Sequence, residues 1–241
     1  MMIAGPTPAN ALVPDKVQLA QTLVGTLSFI GGVRYDILLA TRMLSRHVSP
    51  DRLTRKVFLE VLRTVYYVLG TRKLALTFRR REPGTHFEGW LDSSLNNTFD
   101  GRAFGGFCLG MPGSGAILCS VSAPSMTAEA SGVTELNQLV LCTKATTGLR
   151  VLYREISDPP PGPTSLLTDA QVLVDIAAGR KVSRKSKWVA PRLAMVRYAV
   201  GAGTITAIKV PTEENRADIF TKPLTGVAFE THRASILGLR P

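Results

Sequence analysis

Apolar residues recur at helical spacing through the first third of the chain, beginning with Leu19, Leu23, Leu27 and Ile30. Such a spacing of three and four residues places them on one face of an α-helix. Gly31 and Gly32 interrupt the pattern, which resumes at 37–44. A second stop at 49–51 precedes an apolar series at 57–68 that ends at Gly70. The pattern therefore predicts three helical segments between about residues 18 and 69.

From residue 74 the apolar runs shorten to the length of β-strands, with glycines and Pro112 between them. The predicted strands are 74–78, 87–91, 105–109, 116–121, 165–168 and 204–210. Helices are predicted at 134–156, 170–178, 190–200 and from about Asn215. Hairpin strands followed by alternating helices and strands predict an α/β fold, with a mixed sheet covered by helices on both faces.

Composition and charge restrict the class of protein further. The 241 residues are 45% hydrophobic and 20% charged, which excludes a disordered chain, a collagen-like fibre and a coiled coil. The net charge is +11, and the stretch 42–81 carries eleven Lys and Arg against two acidic residues. A second basic run spans 180–187. Two such runs indicate a groove that follows phosphates, although each could also be a solvated face.

Other features exclude a membrane or disulfide-rich protein. No apolar run reaches the roughly 18 residues of a membrane helix, and the N-terminus does not resemble a secretory signal. The three cysteines, Cys108, Cys119 and Cys142, are odd in number and lack CxxC spacing. We therefore expect buried free thiols in a reducing compartment, without a zinc site.

Four carboxylates stand at the ends of predicted elements: Asp92, Glu135, Asp169 and Asp218. Carboxylates gathered at one rim of a sheet are hard oxygen ligands, and around Mg²⁺ they can form a two-metal site for phosphodiester chemistry. Spacing alone leaves a second interpretation open, in which these residues are helix caps and turn formers.

The C-terminal stretch 210–224 reads VPTEENRADIFTKPL and resembles the C-terminal signature of copia-type LTR retrotransposon Pol polyproteins. Segments at 23–27, 34–37, 44–46 and 68–71 resemble the part of that family between the polymerase core and the ribonuclease H domain. The resemblance covers about residues 19–239. It implies a ribonuclease H-like mixed five-stranded sheet with helices on both faces, preceded by a helical segment.

The resemblance also implies a domain organisation. Residues 1–18 would be a loose leader and 19–71 a helical remnant of the reverse transcriptase thumb or connection. Residues 72–241 would form the ribonuclease H-like domain. The Tyr-Val-Asp-Asp motif of the polymerase is absent from the sequence, so this chain is not expected to polymerise.

Each catalytic acid of the family has a counterpart here. Asp92 matches the first aspartate, Asp169 the aspartate of the Asp-Asn-Gln motif, and Asp218 the last aspartate. The family's first motif also contains a second aspartate and a tryptophan. Both are missing here, where the sequence at 90–95 is WLDSSL.

The position of the glutamate is less direct. Alignment of Ile117 with the family's Ile-Ser-Trp strand, or of Leu149 with its Trp-Leu-Arg motif, puts Glu135 on the catalytic glutamate. Glu129, within the run Thr-Ala-Glu-Ala, remains an alternative.

The implied function is endonucleolytic cleavage of the RNA strand of an RNA–DNA hybrid. Asp92 would bridge two Mg²⁺ ions, Glu135 and Asp169 would complete one, and Asp218 the other, with Mn²⁺ as a possible substitute. Phosphate contacts are expected from basic residues in both runs, namely Arg79, Arg80, Arg81, Arg180, Lys181, Arg184, Lys185 and Lys187.

RNA 2′-hydroxyls are expected to be contacted by Gln171, with Ser93, Asn96 and Asn97 as further candidates. The implied partners are the hybrid and the remaining Pol domains, reverse transcriptase and integrase, with no membrane. The implied location is intracellular, in a cytoplasmic particle or the nucleus. The alternative is an inactive, degenerate remnant that binds nucleic acid or is only structural.

Overall fold

The computed structural model describes residues 14–80, 84–94, 103–123, 131–180 and 189–239. The α-helices in these ranges are α1 Pro14–Ile30, α2 Leu38–Ser45, α3 Arg55–Gly70, α4 Ser131–Glu155, α5 Gln171–Ala177, α6 Ala190–Gly201 and α7 Gly226–Leu237. The strands are β1 Glu88–Ser94, β2 Phe104–Gly110, β3 Ala116–Ser122, β4 Thr164–Thr168 and β5 Ile205–Lys209. Short 3₁₀ helices occupy Tyr35–Ile37, Thr212–Glu214 and Arg216–Phe220.

In the described part of the chain the strands form one five-stranded sheet in the order β3-β2-β1-β4-β5. The pairs β1–β2 and β2–β3 are antiparallel hairpin partners, whereas β1–β4 and β4–β5 are parallel. Parallel partners need a crossover connection, and helices α4 and α6 supply it. The mixed sheet that the sequence pattern predicted is therefore confirmed.

Each face of the sheet has its own apolar core, because successive side chains of a strand point to opposite faces. Leu91 and Phe107 pack with α4, α5 and α6 on one face. Trp90 and Cys108 pack on the other face with the C-terminal segment, including Phe220 and α7. The helices on both faces thus follow directly from the alternation along β1 and β2.

The N-terminal helices have a small core of their own, built from Ala20, Val24, Leu44, Leu53, Val57 and Val61. The side chain of Tyr35 packs outside this core, in the core on the sheet face that carries Trp90 and Cys108. Its hydroxyl donates a hydrogen bond to the carbonyl of Ile117 at 3.1 Å. Beside it, Arg34 forms a buried ion pair with Asp36 at 2.7 Å. The hydroxyl of Tyr67 also donates to Asp36, at 2.6 Å. The helical segment is therefore joined to the sheet through buried contacts.

Three predictions of local structure need correction. Helix α1 begins at Pro14, so residues 14–18 belong to the helix rather than to the leader. The segment 74–78 is not a strand. Its Thr77 amide donates to the carbonyl of Leu237, and its Thr77 carbonyl accepts from the amide of Gly115. The predicted helix from about Asn215 is a 3₁₀ helix at Arg216–Phe220, and the last α-helix begins only at Gly226.

None of the helices in the described ranges combines the length and the apolar character needed to cross a lipid bilayer.

Candidate active site

Asp92 and Asp169 lie side by side because their strands are parallel neighbours in register. Trp90 of β1 pairs with Leu167 of β4, and each aspartate follows its paired residue by two positions. Asp169 comes directly after the last residue of β4. Carboxyl ends of parallel strands are the usual edge for binding sites in α/β sheets. The edge predicted from the sequence therefore brings these two acids together.

Asp218 reaches the same edge through the 3₁₀ helix Arg216–Phe220, which packs against β1 and β2. Asn215 secures this approach. Its amide donates to the carbonyl of Leu91 at 3.1 Å, while its side-chain oxygen accepts from the amide of Ala217 at 3.2 Å. One fully buried side chain thus caps the 3₁₀ helix and ties it to the residue before Asp92. The guanidinium of Arg216 lies 4.2 Å from the ring centre of Trp90. This cation–π contact is a further link between the 3₁₀ helix and β1.

Carboxylate oxygens of Asp92, Asp169 and Asp218 lie within 4.8 Å of one another. Two hydroxyls hold the first two acids in place: Thr221 donates to Asp92, and Thr212 donates to Asp169 at 3.0 Å. Both threonines belong to the C-terminal motif region that also carries Asp218. The motif therefore supplies one acid and orients the other two.

Burial, with a contribution from mutual repulsion, disfavours the ionised forms of Asp92 and Asp218. Burial raises the pKa of Asp218 to about 6, with the charge of Asp92 adding to the effect and the hydrogen bond from Lys222 opposing it. Burial also raises the pKa of Asp92, against the hydrogen bond from Thr221 and the charge of Lys222. Closely spaced carboxylates with raised pKa values favour the binding of a cation that would relieve the repulsion.

Glu135 lies in the second turn of α4, near enough to Asp92 and Asp169 for their charges to act on it. Burial raises its pKa, and the charges of Asp92 and Asp169 raise it further. It stands outside the set of acids whose oxygens lie within 4.8 Å of one another. The structure brings Glu135 near the aspartates without joining it to their cluster. The alternative residue, Glu129, lies outside the described residues.

Sequence reasoning missed Lys222, Thr221, Thr212 and Asn215, all of which contribute to this site. The ammonium of Lys222 lies 2.7 Å from Oδ2 of Asp218 and 3.8 Å from Oδ2 of Asp92. The signal was available, because the stretch 210–224 that resembles the family motif contains all four. Spacing of acidic residues alone does not reveal neutral or basic residues that position them.

The predicted phosphate-binding residues are only partly placed. Arg79 donates to the carbonyls of Gly113 and Gly238, at 3.1 and 2.8 Å, beside the β2–β3 turn. That turn is at the end of β1 opposite Asp92, because Glu88 pairs with Gly110 and Asp92 pairs with Gly106. The structure therefore does not bring Arg79 to the carboxylates.

Of the other predicted contacts, Arg80 and Arg180 are exposed. Gln171 donates to Asp175 at 3.1 Å. Ser93 lies in β1 beside Asp92. The remaining predicted contacts lie outside the described residues: Arg81, Lys181, Arg184, Lys185, Lys187, Asn96 and Asn97.

The residues at the carboxylate cluster fit a divalent cation by their chemistry. Asp218 Oδ1 and Glu135 Oε2 are buried and have no hydrogen-bond partner among the described residues. Buried carboxylate oxygens are costly without a donor or a cation. Hard oxygen ligands of this kind are compatible with binding of a divalent metal ion.

Similar folds occur in solved structures of RNase H and reverse transcriptase proteins. A foamy viral protease–reverse transcriptase (dRH) in complex with double-stranded DNA matches with a TM-score of 0.50 and 12% identity, over 84% of this chain and 35% of that chain. A foamy viral protease–reverse transcriptase in complex with RNA/DNA hybrid matches with a TM-score of 0.48 and 13% identity, over 91% and 27% of the two chains.

The N-terminal RNase H domain of a Mycobacterium tuberculosis protein, fused to maltose-binding protein, gives a TM-score of 0.44 at 16% identity, over 62% of this chain and 96% of that chain. No protein-family model matches the sequence. At these identities the similarity concerns the fold. The protein has an RNase H-like α/β fold, and it spans about a third of the length of the foamy viral protein.

Proposed function

We propose that this protein is a ribonuclease H-type endonuclease that cuts the RNA strand of an RNA–DNA hybrid. The observation that carries the proposal is the convergence of Asp92, Asp169 and Asp218 at the carboxyl ends of two parallel strands. Three acids that are far apart in sequence meet at the carboxyl ends of parallel strands, an edge that often carries the binding site of an α/β sheet. Caps and turns have no need for such a convergence.

Asp92, Asp169 and Asp218 would hold divalent cations, with Glu135 as a further ligand. We propose two Mg²⁺ ions, with Mn²⁺ as a substitute, and Asp92 as the ligand common to both. When bound, the cations would lower the pKa of the attacking water and neutralise charge that develops on the phosphate. The protein's part is preorganisation, because Thr221, Thr212 and Asn215 fix the acids through hydrogen bonds before substrate arrives.

The substrate follows from charge and fold together. The net charge of +11 favours a polyanion. A foamy viral protein with this fold is in complex with double-stranded DNA, which supports nucleic acid as the partner. Discrimination for RNA would come from contacts to 2′-hydroxyls in the minor groove. Attack on the phosphorus would leave a 3′-hydroxyl and a 5′-phosphate.

The motif at 210–224 supports a place for this chain in a copia-type Pol polyprotein. In that setting residues 19–71 would belong to the reverse transcriptase connection, and the partners would include the polymerase and integrase domains. The burial of Tyr35 in the core beside the sheet, and its hydrogen bond to Ile117, support a helical segment that packs as one body with the sheet.

The test is cleavage of a hybrid labelled on its RNA strand, with Mg²⁺ present. The wild-type chain should release short RNA fragments, whereas Asp169→Asn should lose cleavage and retain salt-sensitive binding of the hybrid. Asp51→Asn makes the same change at an exposed position of the helical segment and should cleave normally.

Unchanged cleavage in Asp169→Asn would refute the site. Salt-sensitive binding by wild-type protein without any Mg²⁺-dependent product would favour the alternative, an inactive remnant that binds nucleic acid.

A further inference from the structure

Lys222 places a positive charge among the carboxylates of the candidate site. Its ammonium lies 2.7 Å from Oδ2 of Asp218 and 3.8 Å from Oδ2 of Asp92. The charge of Asp169 also acts on it. The Lys222 side chain is 29% exposed, so the ion pair is partly shielded from water. One ammonium group thus faces all three aspartates.

The backbone around Lys222 fixes this placement. The amide of Lys222 donates to the carbonyl of Asp218 at 2.9 Å, and the amide of Leu224 donates to the carbonyl of Lys222 at 2.8 Å. Pro223 between them restricts the chain further. Because the Cα of Lys222 is held on both sides, its side chain extends towards the acids from a defined position.

The ammonium leaves part of the cluster without a partner. It donates to Oδ2 of Asp218, whereas Oδ1 of the same carboxylate is buried and has no hydrogen-bond partner among the described residues. Buried carboxylate oxygens are costly without a donor or a cation, which leaves a reason for a divalent cation to enter.

Lys222 and a divalent cation have overlapping ligands. Oδ2 of Asp218 accepts the hydrogen bond from the ammonium, and the same carboxylate would bind a cation. Two positive charges at one carboxylate in a partly buried site repel each other strongly. A cation at the unpartnered Oδ1 of Asp218 would therefore repel the ammonium at Oδ2 and favour its withdrawal from this carboxylate.

We propose that Lys222 is an internal cation that competes with the divalent metal for Asp218 and Asp92 and so sets the affinity of the site for metal. The inference rests on the proposed function, because it assumes that the cluster binds a divalent cation. Lys222 is in this sense a positioning residue. It holds the acids together without metal and gives way when metal binds.

The test is titration calorimetry of the full chain with Mg²⁺ alone, in the absence of nucleic acid. Lys222→Gln keeps a polar side chain and removes the charge, so it should bind Mg²⁺ at least about tenfold more tightly than wild type. Lys144→Gln removes the same charge from an exposed position of α4 and should bind like wild type. Circular dichroism of each variant checks that it is folded.

A second measurement uses the wild-type protein and so does not depend on the folding of a variant. Acetylation of lysines by an amine-reactive ester is followed by mass spectrometry with and without Mg²⁺. Withdrawal of the ammonium should increase the rate at Lys222 severalfold and leave Lys144 unchanged.

Equal Mg²⁺ affinities in wild type and Lys222→Gln, or an acetylation rate that Mg²⁺ does not change, would overturn the role of Lys222 while the metal site stood. Absence of Mg²⁺ and Mn²⁺ binding in both proteins would overturn the proposed function and this inference with it.

Discussion

Phe220 packs directly against the backbone of Gly106, so closely that a Cβ atom on Gly106 would collide with the Cβ of Phe220. Gly106 is also the residue of β2 that pairs with Asp92 of β1. The absence of a side chain at Gly106 lets the segment carrying Asp218, Thr221 and Lys222 lie close to the sheet. The contact between these two residues therefore determines how near the C-terminal motif comes to Asp92.

Gly106→Ala should displace Phe220 and separate Thr221 from Asp92. Overpacking of this kind costs about 1–3 kcal/mol of unfolding free energy, and cleavage should fall more than stability alone would explain. The control is Gly148→Ala in α4, where a new Cβ meets nothing within 4 Å. Alanine is the better helix former, so this control should gain about 0.5–1 kcal/mol. Chemical denaturation and hybrid cleavage measure both effects.

Cleavage by Gly106→Ala at the wild-type rate would show that the close approach of Phe220 is not needed for the site.

Most helices and strands, and the mixed character of the sheet, were accessible from the sequence because they depend on local patterns and on the order of the elements along the chain. Short runs at 87–91 and 105–109, separated by glycines and Pro112, were sufficient to predict the strands. The segment 74–78 is a similar short run, but its described backbone hydrogen bonds link Leu74 to Thr71 and Thr77 to Gly115 and Leu237, and it joins no sheet. Whether such a segment becomes a strand depends on whether a sheet edge is available to pair with it. The local sequence does not contain that information.

The candidate site was predictable where an acid follows a strand, and less so elsewhere. Asp92 and Asp169 follow from the strand pattern, but Asp218 was expected in an α-helix and lies in a 3₁₀ helix. The hydrogen bond from Asn215 to Leu91 joins residues 124 positions apart. Contacts of that range depend on tertiary packing, which periodicity does not reveal.

Thr221→Val tests the hydroxyl that orients Asp92. Valine has nearly the same shape, but it removes one hydrogen-bond donor from the buried carboxylate of Asp92, at a cost of about 1–3 kcal/mol. The hydrogen bond from Thr221 lowers the pKa of Asp92, so its loss should raise that pKa further. The acid limb of the pH–rate profile for cleavage should therefore move to higher pH. Thr221→Ser, which keeps the hydroxyl, should retain the wild-type profile.

If Thr221→Val lowers stability but leaves the acid limb of the pH–rate profile where it is in wild type, the role of Thr221 is purely structural.

Arg34→Met tests the buried ion pair within the helical segment. Arg34 donates to both oxygens of Asp36, at 2.9 and 2.7 Å, and also to the carbonyl of Thr71. Removal of the guanidinium leaves the buried carboxylate of Asp36 without its cation. This should lower the free energy of unfolding by about 3–5 kcal/mol. The double variant Arg34→Met with Asp36→Leu should recover part of this loss, because no buried charge is then left unpaired.

Thermal unfolding followed by circular dichroism measures these variants. A double variant no more stable than Arg34→Met would contradict the explanation by an unpaired charge.

Mg²⁺ should stabilise the protein at neutral pH but not in acid. Burial raises the pKa of Asp218 to about 6, and burial also raises the pKa values of Asp92 and Glu135, so the folded state holds protons more tightly than the unfolded chain. The stability that Asp218 contributes is thus fully present below its unfolded pKa and is lost as the pH rises through about 6, and the contributions of Asp92 and Glu135 change in the same direction. Ionised carboxylates then attract the cation, and binding to the folded state raises the melting temperature. The increase caused by Mg²⁺ should be small at about pH 5 and larger at about pH 8, and Asp218→Asn should reduce the difference. An equal increase at both pH values would mean that Mg²⁺ binds elsewhere on the protein.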